Sequence, residues 1–94
     1  MQVEFDVKYL RSKKKVAKKI SLKAIEDTEE LFKTDPNSKK LNLKKIVCRR
    51  DKNKLSIRVL GNDGYRVLLT SKNEIAIFQD IMNHDKYDRL TKDC

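Results

Sequence analysis

The sequence predicts a single α+β domain spanning residues 1–94, with helices packed on one face of a mostly antiparallel sheet. Three observations support this prediction: an alternating segment at the N-terminus, a helical hydrophobic stripe after it, and three apolar runs separated by turns. A chain of 94 residues can bury one hydrophobic core and has no room for a second.

The N-terminal third predicts a strand followed by helix. Residues 2–7 alternate polar and apolar, which places Val3, Phe5 and Val7 on one face of a strand. From Tyr9 onwards, apolar residues recur at steps of three and four, as in an amphipathic helix. The pattern fits one long helix or two helices joined near Ser21.

The C-terminal part predicts a three-stranded antiparallel meander. Residues 55–60, 65–70 and 74–81 are apolar-rich runs, and the segments between them contain glycine, asparagine and serine, which favour turns. We expect the N-terminal strand to join this meander after the helical crossover. A short helical turn is expected at residues 87–91.

Charge and cysteine content limit the classes of function. The net charge of +9 favours a polyanionic partner, and a solvated basic surface without a specific partner is the alternative. Cys48 and Cys94 lack metal-ligand spacing, so we expect free thiols in a reducing cytosol. No apolar run is long enough to span a membrane, which predicts a cytoplasmic protein without a membrane partner.

Strand alternation predicts where two arginines lie. If Leu55, Ile57 and Val59 face the core, Ser56 and Arg58 lie on the open face of the sheet. Arg66 on the next strand is then expected beside Arg58. Two neighbouring guanidinium groups suit the oxygens of a phosphodiester, although a simple pair of surface arginines has the same pattern.

The only histidine, His84, follows the third strand, and Tyr87 comes three residues later. Imidazole accepts and donates protons near neutral pH, so His84 is a candidate acid or base. A single histidine without a nearby cysteine makes a metal site improbable. No serine or cysteine lies in a recognisable nucleophile elbow.

The segments Leu41–Ile46, Leu55–Val59, Asp63–Val67 and Asn83–Tyr87 together resemble the RelE/ParE superfamily of toxins from type II toxin–antitoxin systems. The resemblance implies a metal-independent endoribonuclease without a cofactor. Such a toxin cleaves mRNA, usually in the ribosomal A site, by attack of a 2′-hydroxyl on the adjacent phosphate. The ribonuclease branch often has a lysine at the position of Ser56.

The resemblance also assigns roles to the candidate residues. Arg66 would hold the scissile phosphate, with Arg58 as the family's basic residue on the preceding strand. His84 would be the general acid or base, and Tyr87 would stack on a base or orient the phosphate. The expected contacts to the RNA backbone or ribosomal RNA are the basic residues Lys44, Lys45, Arg49, Arg50, Lys52 and Lys54.

The implied partners are a cognate antitoxin, mRNA and the ribosome, with DNA contacted only through the toxin–antitoxin complex. Two other functions remain open: a ParE-like inhibitor of DNA gyrase, and a non-catalytic basic module that binds RNA or ribosomes. The arginine pair and His84 favour the ribonuclease, because a gyrase poison needs no proton-transfer group.

Overall fold

The computed structural model describes residues 1–92 and 94, with residue 63 described by its backbone alone. In chain order the elements are β1 (Gln2–Phe5), α1 (Val7–Val16), α2 (Leu22–Thr34), a 3₁₀ turn (Lys39–Leu41), β2 (Lys44–Lys45), β3 (Lys54–Val59), β4 (Asn62–Lys72), β5 (Ile75–Asn83) and α3 (His84–Lys92). No helix in the described part of the chain has the length and apolar content needed to cross a membrane.

The sheet has five strands in the order β1-β5-β4-β3-β2. The predicted meander is β3, β4 and β5, which pair antiparallel, and β1 joins its edge by pairing parallel to β5. The α+β class is therefore confirmed. The strand β2 on the opposite edge was not predicted, because its two residues are too short for an alternation signal.

The first strand ends earlier than predicted. Asp6 accepts a hydrogen bond from the backbone N–H of Lys8 at 2.9 Å and thereby caps α1. Val7 consequently begins the helix, and its side chain is exposed instead of sharing the face of Val3 and Phe5. The prediction that Val7 belongs to the strand was wrong, since a capping aspartate next to it overrides the alternation.

The helical region consists of two helices. Its break is marked by Ser21, whose hydroxyl accepts a hydrogen bond from the N–H of Ala24 at 3.3 Å and caps α2. Both helices pack on the same face of the sheet. Their largest buried side chains, Tyr9 and Phe32, each meet the ring of Phe78 edge-on at 5.4 Å between ring centroids.

A buried polar cluster joins α1 to α2. The hydroxyl of Tyr9 donates to the carboxylate of Glu29 at 2.6 Å, and Lys13 Nζ lies 3.0 Å from the same carboxylate. Burial is the largest reason that the pKa of Tyr9 is raised far above its usual value, and the hydrogen bond to Glu29 adds to it. The tyrosine therefore stays protonated and the carboxylate has both a donor and a counter-charge.

The opposite face of the sheet is also covered, contrary to the expectation that helices lie on one face only. A second apolar cluster, consisting of Ile46, Cys48, Leu68 and Met82, lies there under α3 with Tyr87 and Cys94 against it. These side chains alternate with residues of the first core along their strands, so they need their own cover. The C-terminal helix supplies it.

The two cysteines form a disulfide, and the prediction of free thiols was wrong. Cys48 and Cys94 are separated by 46 positions in sequence, and their Cα atoms lie 4.6 Å apart. The proximity arises because α3 folds back along the sheet towards the segment after β2. It cannot be read from cysteine spacing alone.

Candidate active site

The centre of the predicted site is a pair of arginines on neighbouring strands. Arg58 on β3 and Arg66 on β4 are direct register partners, as strand parity predicted. Partners opposite each other in an antiparallel ladder share a face, so their side chains start about 5 Å apart. The register then shifts between Arg58 and Val59, next to the tight Leu60–Gly61 turn, where Gly61 adopts a φ of 71°.

The histidine and tyrosine are positioned by the start of α3. The side chain of Asn83, the last residue of β5, accepts a hydrogen bond from the N–H of Lys86 at 2.9 Å and so caps the helix. The helix begins at His84, three residues earlier than the helical turn predicted at residues 87–91. His84 and Tyr87 consequently lie one turn apart, with 6.4 Å between their ring centroids.

Tyr87 joins the helix to the arginine ladder. Its ring lies under the guanidinium of Arg66, with 6.0 Å from the guanidinium carbon to the ring centroid, a cation–π arrangement. Its hydroxyl lies 3.0 Å from the hydroxyl of Ser56 on β3. Arg66 also donates from Nη1 to the backbone carbonyl of Tyr65 at 3.1 Å. These contacts hold the guanidinium of Arg66 in a defined place.

Ser56 differs from its predicted environment. The face on which it lies was expected to be open, but Ser56 is only 1% exposed, because Tyr87 and α3 cover it. The residue at this position therefore supports Tyr87 and is not available to solvent. Arg58 and Arg66, nearer the hairpin end, remain partly exposed.

His84 lies at the rim of this arrangement. Its side chain is half exposed, and its Nδ1 lies 3.2 Å from a carboxylate oxygen of Asp88 one helical turn later. A carboxylate on Nδ1 orients the ring and leaves Nε2 for proton transfer. The structure thus brings all four predicted catalytic residues, Arg58, Arg66, His84 and Tyr87, to one end of one sheet face.

The predicted RNA-binding residues fall into different places. Lys44 is the register partner of Ser56 and shares the face of the site, whereas Lys45 pairs with Leu55 and starts on the opposite face. Lys54 lies on the site face and donates to the side chain of Gln79 at 3.0 Å. The remaining residues, Arg49, Arg50 and Lys52, lie exposed in the loop between β2 and β3.

Two contributors to the site were not predicted. Asn83 is the cap that turns β5 into α3, and its signal was an asparagine directly before a polar, helix-compatible segment. Asp88 orients His84, and its signal was the four-residue spacing that places two side chains on one helix face. Among the described residues, no cluster of three or more His, Cys, Asp or Glu side chains could hold a metal ion.

The fold is that of small toxins crystallised alone and with their antitoxins. YafQ from E. coli strain BL21(DE3) superposes with a TM-score of 0.71 over 92% of this chain and 96% of that chain, at 10% sequence identity. A chain of the E. coli DinJ–YafQ complex gives a TM-score of 0.72 over 90% of this chain and 94% of that chain, at 12% identity.

A further solved structure superposes with a lower TM-score and a higher sequence identity. A chain of the RelB–RelE antitoxin–toxin complex from Methanococcus jannaschii superposes with a TM-score of 0.59 at 18% identity, covering 92% of this chain and 96% of that chain. No protein-family model and no curated protein sequence matches this chain. The RelE-like fold implied by the sequence resemblance is therefore confirmed by the superposition on these solved structures, without support from a sequence match.

Proposed function

We propose that this chain is the toxin of a type II toxin–antitoxin pair and acts as an endoribonuclease on mRNA. The observation that carries the proposal is the opposed pair Arg58 and Arg66, with the Arg66 guanidinium seated on Tyr87 and His84 one turn away. To cleave RNA without a metal ion, a protein needs groups that bind the phosphodiester, positive charge that stabilises the transition state, and a group that transfers protons.

In the proposed reaction, the 2′-hydroxyl oxygen attacks the adjacent phosphorus and the bond to the 5′-oxygen breaks. The products are a 2′,3′-cyclic phosphate and a 5′-hydroxyl, and the proton lost by the 2′-hydroxyl is balanced by one gained at the leaving oxygen. His84 performs one of these two proton transfers through Nε2, since Nδ1 faces Asp88. Arg66 and Arg58 stabilise the charge that develops on the phosphoryl oxygens.

Tyr87 has a positioning role in this proposal. Of the two roles that the resemblance implied, base stacking and orientation, the contacts favour orientation, because the ring carries Arg66 and the hydroxyl is bonded to Ser56. A preorganised guanidinium is worth more in catalysis than a mobile one, since it needs no reordering when the phosphate arrives.

We infer that the substrate is mRNA that is being translated, that it is cleaved in the ribosomal A site, and that the protein acts in the cytoplasm. A cognate antitoxin is the proposed protein partner, consistent with the DinJ–YafQ and RelB–RelE complexes of the same fold. The net charge of +9 suits an antitoxin with an acidic segment.

The proposal is tested by inducing the protein in cells and mapping cellular mRNA by primer extension. Discrete cuts within translated codons are expected for the parent, and loss of both cuts and growth arrest for Arg66→Ala and His84→Ala. Lys14→Ala on the exposed side of α1 is the matched charge control, and circular dichroism checks that each variant folds. Intact message with cleaved DNA would instead identify a gyrase inhibitor, and growth arrest with neither would identify a non-catalytic binding module.

A further inference from the structure

A cavity lies on the same sheet face as the candidate active site, towards the C-terminal end of α3. Its volume is about 470 Å³. The end of α3 and the disulfide form one side, and Gln79 and Asp80 in the middle of β5 form the other. Basic side chains dominate its charged lining, which includes Lys8, Arg50, Lys54 and Arg89.

A buried carboxylate also lines this cavity. Asp80 is only 3% exposed, and its Oδ1 accepts a hydrogen bond from the backbone N–H of Ile81 at 2.9 Å. Its Oδ2 accepts no hydrogen bond within the described part of the chain and has an ion-pair contact with Lys8 Nζ at 3.4 Å. The Lys8 side chain is 67% exposed, so this contact is solvated on one side.

The position of Asp80 follows from an irregularity in the sheet. The register between β4 and β5 shifts at Leu68 and Leu69, so that Leu68 pairs with Asp80 while Leu69 pairs with Phe78. The shift places the carboxylate beside Leu68 on the face of the cavity. A buried carboxylate oxygen that accepts no hydrogen bond is unfavourable, and a ligand N–H group would relieve this.

The rest of the lining provides anion donors and apolar contact. Lys54 uses one of its donors on Gln79 and retains two others, and the guanidinium groups of Arg50 and Arg89 are on exposed residues. Leu68 and Leu90 supply apolar surface. These groups together match a single nucleotide. The basic side chains can donate to its phosphate, the apolar side chains can contact the face of its base, and the buried carboxylate can accept from an N–H group of the base.

An acidic side chain of a protein partner fits this cavity less well. It would satisfy the basic residues, but it has no N–H group to donate to Oδ2 of Asp80. A nucleotide provides both groups, since its phosphate can contact the basic residues while an N–H group of its base donates to this oxygen.

The cavity is close enough to the candidate active site to serve the same strand of RNA. Thr91, which lines it, donates to the backbone carbonyl of Tyr87 at 2.8 Å, one turn back along α3. One helical turn rises about 5.4 Å. Leu68, which also lines the cavity, lies two positions from Arg66 on the same strand face. A nucleotide adjoining the phosphate at Arg66 can therefore reach the cavity.

We propose that this cavity binds one nucleotide next to the scissile phosphate, with Asp80 accepting a hydrogen bond from an N–H group of the base. The inference rests on the proposed ribonuclease function. It makes Asp80 a residue that influences base preference at one position, since the four bases carry their amino and imino N–H groups at different places on the edge that would face Oδ2.

The test is an NMR titration of the intact, oxidised protein with each of the four nucleoside 5′-monophosphates and with ribose 5-phosphate. The expected result is that shifts concentrate at the amides of Cys48, Leu68, Leu90 and Thr91. All four monophosphates, whose bases each present an N–H group, should bind more tightly than ribose 5-phosphate, and their affinities should differ from one another. Shifts confined to α1, or stronger perturbation of the cavity amides by a glutamate-rich peptide, would overturn the proposal.

Two variants separate the two parts of the cavity. Removing both exposed guanidinium groups, in Arg50→Ala with Arg89→Ala, should weaken all five ligands by about tenfold or more, because the phosphate loses charged hydrogen-bond donors. Asp80→Asn should change the ranking among bases, because it replaces one acceptor oxygen by a donor NH2 group, and should leave the affinity for ribose 5-phosphate no weaker than in the parent. An unchanged ranking in Asp80→Asn would refute base recognition by this carboxylate. Lys14→Ala on α1 is the charge control.

Failure of this inference is distinguishable from failure of the proposed function. Nucleotide binding at the cavity is measured without cleavage, and it should persist in Arg66→Ala. RNA cleavage by a protein whose cavity binds no nucleotide would overturn the inference and leave the ribonuclease standing. In cleavage assays of the active protein, the base preference next to the cut should change with Asp80→Asn.

Discussion

The hydroxyl oxygens of Ser56 on β3 and Tyr87 on α3 lie 3.0 Å apart, and this contact ties the C-terminal helix to the arginine ladder. Helix α3 has no fully buried residue of its own, so few contacts fix its position. Tyr87 and the disulfide at Cys94 are two of them, one near each end of the helix. The geometry of the candidate active site depends on both.

A double-mutant cycle tests the Ser56–Tyr87 contact. Tyr87→Phe keeps the ring under Arg66 but leaves the buried Ser56 hydroxyl without this partner, which should lower the free energy of unfolding by about 1–3 kcal/mol. Ser56→Ala removes both the group and its need for a partner, so the double variant should lose less than the two single losses summed. Urea unfolding measures each value, and strict additivity would show that the two hydroxyls do not interact.

The two adjacent lysines of β2 should differ in their contribution to RNA binding. Lys44 shares the face of Ser56 and Lys45 pairs with Leu55 on the other face. Lys44→Ala should therefore make the negative slope of log K against log salt for single-stranded RNA shallower by about 0.7, the value for one lost phosphate contact. Lys45→Ala should change it less. Equal changes in filter-binding titrations of both variants would contradict the assignment of faces.

The disulfide should contribute substantially to stability. It closes a loop between residues 46 positions apart, for which the chain-entropy estimate is about 4 kcal/mol. Reduction of the parent, or the double change Cys48→Ala with Cys94→Ala, is expected to lower the free energy of unfolding by about 2–4 kcal/mol. The reduced parent and the double variant should unfold at similar urea concentrations. Alkylation of both cysteines in the native, unreduced protein would show that the bond is absent.

The buried Tyr9 predicts a loss of stability at alkaline pH. Burial and Glu29 raise the pKa of Tyr9 in the folded protein, whereas the unfolded chain ionises near the ordinary value of about 10. The folded state thus binds the proton more tightly, so its advantage is full below about pH 10 and falls as the pH rises further.

The measurement is urea unfolding of the parent and of Tyr9→Phe between about pH 8 and about pH 11. The parent should lose stability above about pH 10 by up to about 1.4 kcal/mol per pH unit more than the variant, which lacks the titrating group. Parallel curves would show that Tyr9 does not keep its proton. At neutral pH the variant should be less stable, because Glu29 loses a donor.

Strand parity was sufficient to predict that Arg58 and Arg66 share a face, because alternation is a local property of each strand. It failed for Ser56, whose burial depends on a helix that folds back from the far end of the chain. The disulfide was missed for the same reason. Ser21 was recognisable from the sequence as a possible helix cap, but only packing on the sheet decides between one long helix and two shorter ones.

The pairing of β1 with β5 has a consequence for when the candidate site can assemble. Gln2 pairs with Ile75, so β1, the first strand in the sequence, can join the sheet only after β5, the last strand, has been synthesised. The helix that carries His84 and Tyr87 follows directly after that strand. Contacts between such distant parts of the sequence form slowly, because the long intervening loop must first be closed. A chain in which β5 and α3 have not yet been made therefore has no assembled candidate site.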